Sequence, residues 1–146
     1  MRVFKFGGAS VKDADGIKNV YDVLQKAGYE DVLLVVSAMG KTTNALEVVI
    51  KNYFDKSAEL NSSVQEVKKY HNQILLDLFE DEKNEVFAAV NGQFSDLEYF
   101  LAHNKSPNYN FVYDQIVSYG ELISTTILSH FMNFMGIKTQ WLDVRN

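Results

Sequence analysis

Residues 31–37 constrain the fold more than any other segment, because they are apolar at nearly every position and contain the longest uninterrupted apolar run, residues 32–36. A strand of this composition is expected where helices cover both faces of a parallel sheet. The run is far shorter than the roughly 20 apolar residues that a membrane-spanning helix needs. The segment therefore predicts a buried parallel strand, and no part of the sequence predicts a membrane span.

Two units of strand, turn and helix are predicted in the first third of the chain. Residues 2–6 are a strand candidate, and two glycines and a helical pattern follow them. The strand at 31–37 leads through the loop 38–41 into a second helix, which Thr42 or Thr43 can cap. Strands that are separated by helices join one parallel sheet through right-handed crossovers.

The rest of the chain is predicted to be mainly helical. Residues 58–102 show two helical patterns and predict a helical hairpin, and the loop 103–111 contains the only proline. A long helix is predicted from Tyr113 to Phe134, and residues 137–144 are predicted to form a third strand. The expected fold class is α/β, a three-layer α/β/α arrangement with a mostly parallel sheet and a helical hairpin insertion. Three strands are few for such a domain, so it is expected to be incomplete.

Charge and composition exclude several classes of function. The formal net charge is -5, and the 14 basic residues do not gather into a stripe that could neutralise phosphates along a nucleic acid. Nucleic acid is therefore not an expected partner. The chain has no cysteine, which excludes disulfides and thiolate metal sites and suits a cytoplasmic location.

The first candidate site is the segment around Lys5, Gly7 and Gly8 at the end of the first predicted strand. A charge near the end of a buried strand is unfavourable unless it is paired or faces a ligand. Glycines bring bare backbone N–H groups close to an anion, and a helix N-terminus behind them adds its positive end. The segment is suited to bind phosphate, although an edge-strand lysine followed by an ordinary turn also fits.

The second candidate site is the loop after the second strand. The segment from Gly40 to Thr42 resembles part of a Walker A loop, but that motif needs a glycine at position 35, which is valine. The chain also has no G-x-G-x-x-G motif for a dinucleotide. The small and hydroxyl residues at this strand end are suited to hold a carboxylate or a phosphate. They fit equally well as a simple helix start capped by threonine.

The third candidate site lies on the long helix, where five polar residues share one face: Asp114, Ser118, Glu121, Thr125 and Ser129. Such a stripe is typical of a solvated helix face. However, Gly120 costs about 1 kcal/mol relative to alanine inside a helix, which indicates that another group approaches closely there. The three histidines are scattered along the chain without carboxylates at ligand spacing, so no metal site is expected.

Four segments together resemble the aspartokinases in content, order and spacing, and the resemblance covers essentially the whole chain. These segments are Lys5 to Ser10, Val36 to Asn44, Val117 to Glu121 and Trp141 to Arg145. Aspartokinases usually have threonine where this chain has Ala9, so the hydroxyl group at that position is missing here. Lys5 and Ser10 match the family pattern.

The resemblance implies an aspartate kinase, which transfers the γ-phosphoryl group of ATP, with Mg2+, to the side-chain carboxylate of L-aspartate. This reaction is the entry to lysine, threonine and methionine synthesis. By resemblance, Lys5 is the catalytic residue and pairs with oxygens of the transferring phosphate. Gly7, Gly8 and Ser10 supply further contacts to the nucleotide.

The resemblance also implies that Ser37 and Thr43 hold the carboxylate end of the substrate and that Glu121 receives its α-ammonium group. Residues 1–146 would form the N-terminal portion of the kinase domain, without the rest of that domain or the regulatory domains. This portion alone is expected to be inactive, and the full-length protein is a candidate homo-oligomer. Alternatives are another carboxylate or carbamate kinase of the same fold, or a non-catalytic binding or assembly lobe.

Overall fold

The computed structural model describes residues 1–145 and contains two strands and five α-helices. In chain order they are β1 (Arg2–Phe6), α1 (Ala14–Ala27), β2 (Val32–Val36), α2 (Thr42–Phe54), α3 (Leu60–Leu78), α4 (Glu85–His103) and α5 (Tyr109–Phe134). A short 3-10 turn, Gly8–Val11, lies between β1 and α1. The α/β class, both strand-turn-helix units and the helical hairpin formed by α3 and α4 are confirmed. Helix α5 begins at Tyr109 rather than at Tyr113, because the Asn108 side chain accepts a hydrogen bond from the Phe111 amide and caps it.

The two strands form a parallel sheet in which Arg2 lies opposite Val32 and Phe6 lies opposite Val36. One face of this sheet packs against the helices and carries Phe4, Phe6, Leu34 and Val36. The other face carries Val3, Leu33 and Val35, which are 58%, 38% and 44% exposed. Within residues 1–145, the expectation that helices cover both faces of β2 is therefore met on one face only.

The predicted third strand is wrong, because residues 137–144 pair with no strand in the described part of the chain. This segment instead follows α5 and is held by polar side chains of that helix. The Thr139 amide donates to Asn133 Oδ1 at 2.9 Å, and Trp141 Nε1 donates to Thr125 Oγ1 at 2.8 Å. The polar groups of this segment therefore form hydrogen bonds with a helix and not with a neighbouring strand. The hydrophobic pattern of the sequence alone does not distinguish a strand from a segment held in this way.

The predicted cap of α2 is also wrong. The capping position is Lys41, which makes no side-chain cap, and Thr42 lies inside the helix. Its hydroxyl donates backwards to the Met39 carbonyl at 2.6 Å. The reason is a turn at Gly40, whose φ of +55° lies in the left-handed region that favours glycine. With this turn the capping position falls on Lys41, so Thr42 lies one position and Thr43 two positions inside the helix.

The core lies between the packed face of the sheet and the helices, where α2 contacts α3 and α5, and α4 contacts α5. It contains one fully buried histidine, His71 on α3. His71 Nδ1 lies 2.8 Å from the Val67 carbonyl, so Nδ1 carries the proton. Burial lowers the pKa of His71 from 6.5 to about 4, although the bond to Val67 opposes this shift. His71 is therefore neutral at pH 7.

We expect His71 to make the fold less stable as the pH falls. The pKa of His71 is near 6.5 in the unfolded chain and about 4 in the fold, so between these values the unfolded chain binds more protons. The stabilisation is complete above pH 6.5 and is lost towards pH 4, a change of about 3 kcal/mol. Urea unfolding of His71→Gln should show a flatter pH dependence than the parent. The exposed His103→Gln variant is the control, and equal slopes for all three proteins would contradict this assignment.

Candidate functional site

The carboxyl ends of β1 and β2 lie side by side and lead into two loops that are joined by backbone hydrogen bonds. We call residues 7–12 the phosphate loop and residues 37–43 the acceptor loop, after the ligands that the sequence resemblance predicts for them. The Ser37 amide donates to the Phe6 carbonyl at 3.0 Å, and the Gly40 amide donates to the Gly8 carbonyl, also at 3.0 Å. The pairing of the parallel strands is thereby continued beyond the sheet. This is the edge at which ligands bind in open α/β sheets.

Ala38 lies at the point where these two loops meet α5. A Cβ atom added to Gly8 would lie 2.7 Å from the Ala38 carbonyl oxygen, and one added to Gly120 would lie 2.9 Å from the Ala38 Cβ. Neither position has room for a side chain. A glycine inside a helix indicated that another part of the chain approaches closely there. The contact with Ala38 is that approach and explains why position 120 is glycine.

The phosphate loop leaves space on its outer side. Lys5 is exposed near the end of β1 and forms no salt bridge with another residue of the described range 1–145. No atom lies within 4 Å of the position that a Cβ of Gly7 would take, and the φ of Gly7, -77°, is open to any residue. No contact within residues 1–145 therefore requires glycine at position 7. The open space can accept an anionic ligand close to the backbone.

The helix start behind the glycines differs from the expectation. The phosphate loop enters a 3-10 turn, in which the Ser10 amide donates to the Gly7 carbonyl at 2.9 Å. Helix α1 begins only at Ala14, and the Asp13 carboxylate already accepts a hydrogen bond from the Gly16 amide at 2.8 Å. The α-helix N-terminus is thus capped by an acidic side chain and is not available to an anion. The exposed Ser10 side chain remains next to the glycines.

The acceptor loop brings together most of the residues that were predicted to bind the substrate. The amide of Ala38 donates to Glu121 Oε1 at 3.3 Å, which links α5 to the loop. The carbonyl of Ser37 accepts from the Ser124 hydroxyl at 2.8 Å, one turn further along α5. Thr43 is half-buried in the first turn of α2. Ser37 and Glu121 therefore lie at one place, and Thr43 lies at the far end of the same loop.

Two residues of the polar stripe on α5 have a role that the sequence analysis did not consider. Thr125 accepts a hydrogen bond from Trp141, and the Ser129 and Thr139 hydroxyl groups lie 3.2 Å apart. These two stripe residues hold the segment after α5 and are not part of the site. Of the stripe, Glu121 is the residue that contacts the acceptor loop. The helical period of the stripe alone could not separate these roles, because all five residues share one face.

The last described residues add a charged pair that the sequence did not assign. The Arg145 guanidinium donates to both carboxylate oxygens of Asp143, with a shortest distance of 2.7 Å. Hydrogen bonds from Arg145 lower the pKa of Asp143. Burial raises the pKa of Tyr119, and the charge of Arg145 opposes this rise. The pair therefore lies near Tyr119. This residue precedes Gly120 on α5, the helix that also carries Glu121.

A cavity of about 530 Å³ lies behind the two loops, between the 3-10 turn, the start of α2 and α3. Its walls include Lys12, Lys41, Glu66 and Tyr70, and none of the residues predicted to bind phosphate or substrate lines it. Other residues of both loops do line it, so the cavity adjoins the candidate site. In residues 1–145 no group of three or more His, Asp or Glu side chains could hold a metal ion. None of the described helices is long and apolar enough to cross a membrane.

The family model that matches the chain is that of the amino acid kinase family, and the match covers residues 1–146. A bifunctional aspartokinase/homoserine dehydrogenase 2 of Escherichia coli is 29% identical over 99% of this chain, which spans 18% of that relative. An aspartokinase 1 of Arabidopsis thaliana, described as chloroplastic, is 31% identical over 97% of this chain and 25% of its own length.

Solved structures of E. coli aspartokinase III have the same fold. The complex with lysine and aspartate superposes with a TM-score of 0.83 at 26% identity, over 99% of this chain and 32% of that one. The complex with aspartate and ADP gives a TM-score of 0.84 at 24% identity, over 99% of this chain and 31% of that one. The chain thus spans less than a third of the length of each of these relatives.

The contact between α5 and Ala38 can be tested with a pair of glycine variants. We expect Gly120→Ala to lower the free energy of unfolding by about 1–3 kcal/mol, because the new Cβ would collide with Ala38. Gly92→Ala on α4 is the matched control, since no atom lies within 4 Å of its added Cβ. That variant should be more stable by about 0.5–1 kcal/mol, the ordinary gain in a helix. Chemical denaturation measures both, and a gain of stability in Gly120→Ala would contradict the close approach.

Proposed function

The chain belongs to the amino acid kinase family, and we propose that it forms the N-terminal part of the catalytic domain of an aspartate kinase. The observation that carries this proposal is the meeting of the phosphate loop, the acceptor loop and Glu121 around Ala38. It supports the proposal because these are the segments that resemble aspartokinases. The similar proteins of E. coli and A. thaliana are aspartokinases by name.

In the proposed reaction, an oxygen of the aspartate side-chain carboxylate attacks the γ-phosphorus of ATP. The bond between that phosphorus and the oxygen that bridges it to the β-phosphate breaks, which gives 4-phospho-L-aspartate and ADP. The carboxylate is already ionised at neutral pH, so no general base is needed. The protein has to bring two anions together and to stabilise the charge on the transferring group.

The phosphate loop is suited to this electrostatic task. Lys5 presents an exposed ammonium group at the end of β1, and it has no competing salt bridge within residues 1–145. The open space beside Gly7 lets phosphate oxygens approach the backbone, and Ser10 offers a hydroxyl group nearby. The crowded Gly8 holds this loop against the acceptor loop. We therefore assign Lys5 as the catalytic residue and Gly7, Gly8 and Ser10 as the nucleotide-binding residues.

The acceptor loop and α5 are suited to bind the amino acid. Glu121 is exposed and accepts one hydrogen bond, from Ala38, so its carboxylate has further acceptor positions for an ammonium group. Ser37 and Thr43 carry hydroxyl groups at the two ends of the loop, where a carboxylate can be held. Glu121 thus binds the α-ammonium group of the substrate and is not a base.

Mg2+ accompanies ATP in phosphoryl transfer and neutralises charge on its phosphate oxygens. The phosphate loop fits the nucleotide, but residues 1–145 contain no cluster of three or more metal-ligating side chains. We therefore assign Mg2+ to none of the described residues.

As compartment we propose the cytoplasm, which a chain without cysteine suits. Association of the full-length protein into a homo-oligomer also stays a proposal.

A non-catalytic binding or assembly lobe is a second candidate, and one observation favours it. The apolar face with Val3, Leu33 and Val35 is exposed, as expected of a sheet that is completed by further protein. Lys5 lies on the same face as these residues, because side chains alternate along β1. On either proposal, residues 1–146 contribute one part of a larger domain.

The role of Lys5 can be tested in the full-length protein that contains this chain. We expect Lys5→Ala to lower kcat for aspartate phosphorylation by about 100-fold or more, because one preorganised charge at the transferring group is lost. The KM for aspartate should change little. Lys26→Ala, at the exposed end of α1, is the control. Normal turnover by Lys5→Ala would remove this residue from the mechanism.

The role of Glu121 predicts a different kinetic result. Glu121→Gln keeps the size of the side chain and removes its charge, so the KM for aspartate should rise about tenfold or more. The KM for ATP should remain close to that of the parent enzyme. Asp114→Asn changes an exposed charge on the same face of α5 and should leave both constants unchanged. If Glu121→Gln had an unchanged KM for aspartate, Glu121 would belong to a solvated helix face.

A further inference from the structure

Tyr70 on α3 touches both loops of the candidate site from behind. Its hydroxyl donates a hydrogen bond to the Lys12 carbonyl at the end of the phosphate loop. The same hydroxyl oxygen lies 2.5 Å from the position that a Cβ of Gly40 would take. Gly40 belongs to the acceptor loop and donates its amide hydrogen to Gly8. One phenol group thus contacts both loops.

The neighbouring His71 strengthens this arrangement. The rings of Tyr70 and His71 lie edge to face, with centroids 5.0 Å apart. His71 is fully buried, and its Nε2 faces the Thr42 hydroxyl at 3.4 Å. That hydroxyl in turn donates to the Met39 carbonyl in the middle of the acceptor loop. One edge of the Tyr70 ring is therefore packed against a buried side chain.

The cavity of about 530 Å³ makes these contacts more important. It separates α3 from the two loops, and Tyr70 forms part of its wall together with Ala9, Lys41 and Ala45. Beside the cavity the loops have fewer packed neighbours than at Ala38, so a single contact there has more influence on their position. The hydroxyl of Tyr70 reaches from α3 to the loops at this point.

We propose that Tyr70 is a positioning residue that fixes the spacing between the phosphate loop and the acceptor loop. Its consequence for catalysis rests on the proposed function, in which the first loop binds ATP and the second binds aspartate. The attacking oxygen and the phosphorus must be held in line, and an error of about 1 Å can lower the rate by about 100-fold. The helical hairpin thereby acts on the site through α3.

The first test measures loop order in the 146-residue chain itself. Tyr70→Phe removes the hydroxyl and keeps the ring, so the temperature of unfolding should fall by only a few degrees. Amide hydrogen exchange of residues 7–12 and 37–43 should become about tenfold faster than in the parent. Tyr99→Phe is the control, since Tyr99 lies on the same hairpin, is 66% exposed and stacks on His103. Equal exchange rates in the two variants would overturn the inference.

The second test uses kinetics of the full-length protein. A positioning role predicts that Tyr70→Phe lowers kcat about tenfold, while the KM values for ATP and aspartate change less than twofold. Tyr99→Phe should keep the parent kcat. If the parent protein is active and Tyr70→Phe has its full kcat, the inference is overturned and the proposed function stands. If the parent protein does not phosphorylate aspartate, the proposed function fails, and the exchange experiment alone decides the role of Tyr70 in loop order.

A double variant tests the geometry directly. Gly40→Ala should push the Tyr70 hydroxyl away and lower kcat. The backbone φ of +55° at position 40 adds strain to any residue other than glycine. When Tyr70→Phe is also present, the nearest ring atom lies 3.5 Å from the new Cβ, which is an ordinary contact. The loss of kcat in the double variant should then be smaller than the product of the two single losses. Independent effects would overturn the proposed contact.

Discussion

The close approach of three backbone segments at Ala38 is the constraint on which the rest of the site depends. Gly8 and Gly120 come so near to Ala38 that neither has room for a Cβ atom. This close approach lets the Ala38 amide donate a hydrogen bond to the Glu121 carboxylate and the Gly40 amide donate one to the Gly8 carbonyl. A larger residue at either glycine would separate the elements and break these bonds. The absence of side chains at these two positions therefore allows the elements of the candidate site to meet.

The contact at Ala38 also explains why charged and polar groups are exposed there. The loops are fixed from the inside by backbone bonds and by α5, so the exposed Lys5 and Ser10 need not support the fold. Lys5 projects from the uncovered face of the sheet, beside the exposed Val3 and Val35. A cation is tolerated on such a face, and a ligand can use its charge without first breaking a salt bridge. The packed side of the sheet provides stability, and the strand ends carry the polar and charged groups of the candidate site.

Some sequence predictions were wrong because they used local patterns for features that tertiary contacts decide. Residues 137–144 have the composition of a strand, but Thr139 and Trp141 bond to side chains of α5 and pair with no strand within residues 1–145. The threonines were expected to cap α2, yet the turn at Gly40 places Thr42 inside the helix. Two members of the polar stripe on α5, Thr125 and Ser129, hold the segment after the helix, while Glu121 contacts the acceptor loop.

The sequence by itself determined the two strand-turn-helix units, the hairpin, and the positions of the glycines and of Lys5 and Glu121. These features follow from hydrophobic period and from residue type, which act over a few neighbouring positions. Only the tertiary structure decided which polar residue of α5 meets the acceptor loop and that Tyr70 lies behind both loops. These contacts join residues 83 and 58 positions apart in the chain. They depend on the relative placement of whole helices, which no local pattern encodes.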